Sequence, residues 1–305
     1  MRFEVTILGS NSATPLFGRH HTAQILNCNE VISLIDCGEG TQLQLQRYGF
    51  KVNRIKYVFI SHLHGDHYLG LVGLISSMHL NGRKEDLHIF GPEGLKEIID
   101  LQLRYSDTCL RYNLIVQVTN PQAAETILSD SNFEVMTFPL SHRISCTGFL
   151  FREKQRLPRI NKEAIAALDL DIPTRYYPLL KRGMDYTDRE GKVFPASDLT
   201  TPAPAPRSYA FCSDTVNIKT YWPYIKAVDL LYHEATFLHE MLTRAEETFH
   251  TTALQAAEIA KAVEAKKLVI GHFSARYKDL QPLLEESTSV FPNTDLAIEG
   301  ETFEI

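Results

Sequence analysis

Within six residues the chain places three imidazoles and a carboxylate, His62-Leu63-His64-Gly65-Asp66-His67. Imidazole nitrogens and carboxylate oxygens are the donors that borderline cations such as Zn²⁺ accept, and catalytic zinc sites keep one position for water. One tetrahedral ion seldom draws four ligands from so tight a turn. The spacing therefore predicts two ions about 3.5–4 Å apart sharing a water or hydroxide. Extended backbone through His62 and His64 turns both to one side, which leaves Asp66 and His67 to point elsewhere.

Such a centre needs further donors, and three stand just past apolar runs. His142 follows Phe133–Phe138 and Pro139-Leu140-Ser141, Asp214 follows Tyr209-Ala210-Phe211-Cys212-Ser213, and His272 follows Leu268-Val269-Ile270-Gly271. Any one alone reads as a hydrogen-bonded loop residue. Three at equivalent positions, beside the hexapeptide, read as ligands. His79, His88 and His239 have no such setting and are expected in core or surface roles.

The elements that position these groups alternate between period 2 and period 3.6. Strands are expected at Phe3–Leu8, Ala23–Cys28, Val31–Asp36, Tyr57–Ile60, Leu87–Phe90, Leu114–Val118, Phe133–Phe138 and Gly148–Arg152. Helices are expected at Thr41–Tyr48, Leu69–Leu80 and Glu93–Tyr105, and Asn27-Cys28-Asn29-Glu30 reads as a hairpin turn. From Tyr209 the pattern resumes with strands at Tyr209–Ser213, Leu230–His233 and Leu268–Gly271, a helix at Thr252–Ala265, and closing strands at Leu296–Ile298 and Thr302–Ile305. Strands that end in ligand-capable residues bring catalytic groups to one edge of an α/β sandwich.

The segment between differs. From Arg152 to Lys192 there are ten Lys/Arg against seven Asp/Glu, in a chain of 305 residues whose net charge is -6. It runs into Thr201-Pro202-Ala203-Pro204-Ala205-Pro206, a semi-rigid linker composition, and reads as an inserted arm. The mild acidity argues against a general nucleic-acid coat but leaves room for a local basic patch. Five scattered cysteines without a C-x-x-C pair fit a reduced cytoplasm and carry no assigned chemistry. The first residues read as a strand rather than an export signal, and no apolar run reaches the length of a membrane span. A soluble cytoplasmic protein is expected.

With these residues in place, the chain resembles the metallo-β-lactamase superfamily and, more narrowly, ribonuclease Z, the tRNA 3′-end endonuclease. The hexapeptide reads as the H-x-H-x-D-H motif, and His142, Asp214 and His272 stand where the later ligand motifs belong. Leu34-Ile35-Asp36-Cys37-Gly38-Glu39-Gly40-Thr41-Gln42 is similar to the ribonuclease Z form of the first motif. His233-Glu234-Ala235-Thr236 matches its HEAT motif, and His250-Thr251-Thr252 resembles H-S-T with Thr for Ser.

The resemblance implies a four-layer αββα sandwich formed by one domain over residues 1–305, with residues 153–207 as an inserted tRNA-binding exosite arm. It implies two Zn²⁺ per subunit. His62, His64 and His142 would hold one, Asp66, His67 and His272 the other, and Asp214 would bridge them, with Asp36 supporting the ligands by hydrogen bonds. A carboxylate can bridge through two oxygens whereas an imidazole cannot, and a shared hydroxide is a nucleophile near neutral pH. Asp66 would also orient or deprotonate the attacking water. His250, with its tautomer fixed by Glu234, is the candidate to protonate the leaving ribose oxygen.

The expected activity is removal of the 3′ trailer from precursor tRNA, leaving a 3′-hydroxyl. The expected assembly is a homodimer in which one subunit's arm clamps the tRNA cut by the other. Arg175, Lys181 and Arg182 are candidate arm contacts with phosphates. The family loop P-x-K-x-R-N is replaced here by Pro15-Leu16-Phe17-Gly18-Arg19-His20, which leaves Arg19 as the candidate phosphate contact and the cleavage position relative to the discriminator base open. The alternatives are a related hydrolase of small phosphodiesters or of esters, lactones or thioesters, and an RNA-binding protein with a defunct site. The Glu234/His250 pair and the arm favour the nuclease, and the full ligand set argues against a defunct site.

Overall fold

Strict alternation along the strands divides their side chains between two faces, and that division builds the layers. In a computed structural model describing residues 2–305, Phe149, Phe151, Tyr209, Phe211, Tyr232 and Val269 turn to one face of a sheet, while Leu150, Ala210, Cys212, Leu231 and Ile270 turn to the other. The first set meets Phe3, Val5, Ile7, Phe59 and Phe90 from a second sheet to form the aromatic centre of the sandwich. The Phe59 and Phe149 ring centroids stand 5.4 Å apart, and Phe211 stacks on Tyr232 at 5.0 Å.

Each sheet has seven strands. The first runs, in spatial order, Thr302–Glu304, Phe3–Gly9, Ala23–Cys28, Val31–Cys37, Ile55–Phe59, Leu87–Gly91 and Leu114–Val118, antiparallel up to Val31–Cys37 and parallel beyond it. The second runs Thr294–Leu296, Leu268–Gly271, Leu230–Glu234, Ser208–Cys212, Cys146–Glu153, Phe133–Leu140 and Glu125–Ser129. Helices Thr41–Arg47, Leu71–Leu80 and Leu95–Tyr105 cover the outer face of the first sheet through Leu45, Leu74, Ile75, Met78 and Ile99. Helices Ala253–Ala262 and Gln281–Thr288 cover the second through Ala256, Ala257, Ala260 and Leu283. The architecture is the four-layer αββα sandwich that the sequence led one to expect.

Differences from the expected elements have local causes. The helix expected from Thr252 starts one residue later because Thr252 is its N-cap, reciprocally bonded with Gln255 in a capping box, and it ends before Glu264, whose φ is 59°. The strand Glu125–Ser129 escapes sequence reading because its edge position leaves only Ile127 buried. Asn29 and Glu30, both at positive φ, make the expected hairpin turn.

By contact the chain divides into two compact units, residues 1–152 with 207–305, and residues 153–206. The smaller unit contains the strand pairs Arg159–Ile160 with Thr200–Thr201 and Tyr186–Thr187 with Val193–Phe194, and the helices Lys162–Ala167, Tyr177–Leu180 and Ala196–Leu199. It has a core of its own built on Ile165, Ile172, Leu180, Tyr186, Phe194 and Leu199. Among the described residues no helix is long and apolar enough to cross a membrane.

Candidate metal centre

The two sheets end their strands beside one another, and seven side chains from four chain segments converge there. The hexapeptide follows Ile55–Phe59. His64 is extended (φ −74°, ψ 146°), and the helix Gly65–Tyr68 starts immediately after it. This change of backbone sends Asp66 and His67 to a different side from His62 and His64. The turn after Val31–Cys37 lies against this segment without clearance. A Cβ on Gly38 would stand 2.3 Å from the Asp66 carbonyl oxygen, and one on Gly70 would stand 2.2 Å from that of Gly38. Only glycine permits that approach.

Two sets of donor atoms result. In the first, His64 Nδ1 lies 3.0 Å from His62 Nε2 and 3.1 Å from His142 Nε2, with Asp214 Oδ2 at 3.5 and 3.7 Å from His62 and His142. In the second, His67 Nε2 lies 3.3 Å from His272 Nε2, 3.4 Å from Asp66 Oδ2 and 3.4 Å from Asp214 Oδ1. His272 Nε2 is 3.4 Å from Asp66 Oδ2 and 3.2 Å from Asp214 Oδ1. Nitrogens held about 2.0–2.1 Å from one zinc ion define a tetrahedron with edges of about 3.3–3.4 Å. Both sets have the spacing of a metal site, and Asp214 belongs to each through a different oxygen.

The outward ring nitrogens support this arrangement. His62 Nδ1 lies 3.0 Å from Ser61 Oγ, His67 Nδ1 donates to Asp36 Oδ2 at 2.7 Å, His142 Nδ1 to the Phe249 carbonyl at 3.0 Å, and His272 Nδ1 lies 2.9 Å from Thr236 Oγ1. With these nitrogens engaged, the inward nitrogens converge on one another and on the Asp66 and Asp214 carboxylates, a donor arrangement suited to a cation. Asp36 is fully buried and also accepts from Ser61 N–H at 2.7 Å and Ser61 Oγ at 2.9 Å. Asp36 and His272 hold left-handed backbone, φ 54° and 61°, strain that is retained where the surroundings fix a functional geometry.

Electrostatics follow from burial and pairing. Burial holds His62, His64 and His142 below the ordinary imidazole range, so they stand neutral and able to donate a lone pair. Burial opposes charge on Asp66 and Asp214 too, yet the surrounding histidines outweigh it and keep both carboxylates ionised, Asp66 chiefly through His67 and Asp214 chiefly through His272 and His67. Against its own burial, His250 is raised to about 9 by the Glu234 carboxylate, whose Oε1 is 3.1 Å from His250 Nδ1. Glu234 is fully buried and further held by the N–H groups of Thr251, at 2.7 Å, and Thr236, at 3.0 Å. His233 turns away, its ring between the Tyr221 hydroxyl and the Glu234 carbonyl, and belongs to the core.

The donors open into a cleft of about 820 Å³, whose floor carries His64, Asp66, His142, Asp214, His250 and His272 and whose rim carries Arg143, Arg244 and Arg276. Sequence reading missed Ser61 and Arg143, although each adjoins a histidine it had singled out, and it reached Thr236 only as the last residue of the His233–Thr236 motif. Arg19, expected at a phosphate, turns its guanidinium inward to Asn11 Oδ1 at 2.9 Å and to the carbonyls of Tyr277 and Lys278. It thereby ties down the loop that brings Ser12, Ala13 and Pro15 to the cleft. In the smaller unit Arg175 and Arg182 are exposed and Lys181 half-buried. Cys28, Cys37, Cys146 and Cys212 are buried and Cys109 is exposed.

Known proteins share this organisation. The family profile described as anti-Pycsar protein Apyc1 matches residues 3–157. A ribonuclease Z of Cytophaga hutchinsonii is 49% identical over 304 residues, covering 99% of this chain and 96% of that protein. One of Bacteroides fragilis is 44% identical, covering 98% of each. Among solved structures, the short form of human tRNase Z superposes with a TM-score of 0.71 at 27% identity over 98% of both chains. The metallo-β-lactamase fold protein YhfI of Bacillus subtilis superposes at 0.70 with 17% identity over 99% of both.

Proposed function

The chain belongs to the ribonuclease Z family and is an endoribonuclease, a phosphodiester hydrolase; from that premise we propose that it cleaves the 3′ trailer from precursor tRNA at a pair of zinc ions and leaves a 3′-hydroxyl. The observation that carries the proposal is the pairing of two donor sets through Asp214 within reach of the Glu234/His250 pair. His62, His64, His142 and Asp214 would hold one ion, and Asp66, His67, His272 and Asp214 the other. Bound there, two such ions supply Lewis acidity and a water that is nucleophilic at neutral pH.

The chain's own groups do the rest. Asp66, at the cleft floor, orients the attacking water and takes its proton. Glu234 engages His250 Nδ1, which leaves Nε2 as the ring nitrogen that donates a proton to the departing 3′ oxygen. His64 uses Nδ1 as donor, so a neutral ring carries its hydrogen on Nε2. Arg143 Nη2, 3.2 Å from that atom, is then better satisfied by a substrate phosphate. Residues 153–207 act as an arm inserted in the catalytic domain, with Arg175, Lys181 and Arg182 supplying sequence-independent, salt-sensitive contacts to the tRNA backbone. A cytoplasmic homodimer, each arm serving the partner's site, fits this division of labour.

The test is incubation of zinc-loaded protein with a 3′-extended precursor tRNA, with mapping of the new end. One cut at the acceptor-stem end, with a 3′-hydroxyl on the tRNA, is expected. An intact precursor alongside rapid hydrolysis of a small phosphodiester would replace this reading with that of a small-diester hydrolase.

A further inference from the structure

The cleft wall beside His250 carries a side chain that neither metal donation nor proton transfer uses. Phe249 lies two residues past the helix Leu242–Glu247 with φ 60°. Its N–H bonds to the Glu246 carbonyl at 3.2 Å and the His250 N–H to the Ala245 carbonyl at 2.7 Å. This is a helix terminus in which a bulky L residue occupies the left-handed position that glycine favours. Its carbonyl is engaged with His142, and its ring stands edge-on to the His142 ring, centroids 6.3 Å apart at 89°. The residue is nevertheless 37% exposed and lines the cleft. Phe237, the other phenylalanine there, is buried beneath the Arg276 guanidinium at 5.3 Å, so its face is already covered. A strained backbone that holds an uncovered aromatic face at the mouth of a reaction site points to substrate contact.

Building on the endonuclease reading above, we propose that the Phe249 ring is the stacking platform for the nucleobase of the nucleotide that carries the leaving 3′ oxygen, on the 5′ side of the scissile phosphate. Phe249 precedes His250 in the chain, and the ribose whose oxygen His250 protonates bears that base. Every nucleobase presents a π face, so stacking holds this nucleotide without reading its identity. Arg143 and Arg276 at the rim supply charge for the flanking phosphates, while Arg244 is paired with Glu247 at 3.2 Å. Hydrogen bonds to a base edge would restrict the enzyme to one base at this position, whereas a bare phenyl face does not.

The test is a four-way comparison of wild type and Phe249→Gly, each on a precursor tRNA with a normal or an abasic ribose at that nucleotide. Glycine relieves the left-handed backbone, and an unchanged thermal midpoint and metal content verify that the site persists. Either change alone is expected to lower kcat/KM about tenfold, as loss of one stacked base does. Both together should lower it no further, and Phe249→Trp should restore the dependence on the base. Two losses that multiply, or a Phe249→Gly enzyme equal to wild type on the normal precursor, would overturn the stacking platform while leaving the endonuclease intact. Failure of wild type to cut the normal precursor would overturn the endonuclease reading itself and the platform with it.

Discussion

The donor cluster and the inserted unit of residues 153–206 are held in opposite ways. In the cluster most of the side chains are buried, the outward nitrogens of His62, His67, His142 and His272 have partners, and two residues tolerate left-handed backbone to stay in place. In the inserted unit a small core around Leu180 and Leu199 supports two-residue strand pairs, and the cations Arg175 and Arg182 stand in solvent. The contrast separates two kinds of demand. Stabilising a transition state requires groups fixed within a fraction of an ångström, whereas attraction to a phosphate backbone requires only positive charge on a scaffold that can reach it.

That contrast can be broken most severely at Asp66. Asp66→Ala would remove a proposed metal donor and the group proposed to prepare the water, and turnover should fall by about 10⁴-fold or more on precursor tRNA and small phosphodiesters alike, measured as initial rates with zinc in excess. A next, smaller effect is expected at His250. His250→Ala should slow tRNA cleavage by about 10²- to 10⁴-fold with the bound metal retained. Loss of an ion in that variant would move His250 into the ligand set, a role compatible with the closeness of its donor atom to those of Asp214 and His272. Excision of residues 153–206 should have the smallest effect. Arg152 pairs with Ser208 across adjacent antiparallel strands, so a short glycine linker can close the gap. Kinetics should then show KM for precursor tRNA raised about tenfold, a shallower salt dependence, and unchanged hydrolysis of a small diester. Equal losses on both substrates would mean that the two regions are not separable in function.

Legibility in the sequence follows the same division. Ligand types are few, and here they stand where apolar strands stop, so the sequence alone singles out His62, His64, Asp66, His67, His142, Asp214 and His272 as candidate donors, and the fold brings them together. The sequence does not mark their supports in the same way. Ser61 is tied to Asp36 across 25 residues, Thr236 to His272 across 36, and the Phe249 carbonyl to His142 across 107. No periodicity records contacts at such separations. The central strands were legible because burial on both faces makes them continuously apolar. The half-exposed edge strand Glu125–Ser129 and the short elements of residues 153–206 carry too few buried positions to show a period. Arg19 illustrates the converse, since its type and loop suited a phosphate contact and only the fold shows its donors turned to Asn11 and two carbonyls.

The central claim is that one carboxylate joins two metal sites into a single hydrolytic centre. It is tested most directly by counting zinc per chain in the purified wild type and in Asp214→Ala, by elemental analysis after equilibrium against a fixed free-zinc concentration. Asp214 offers Oδ2 to one donor set and Oδ1 to the other. The account predicts two ions per chain in the wild type and weakened occupancy of both sites in the variant. A single ion in the wild type, or two ions retained at wild-type affinity without Asp214, would contradict it.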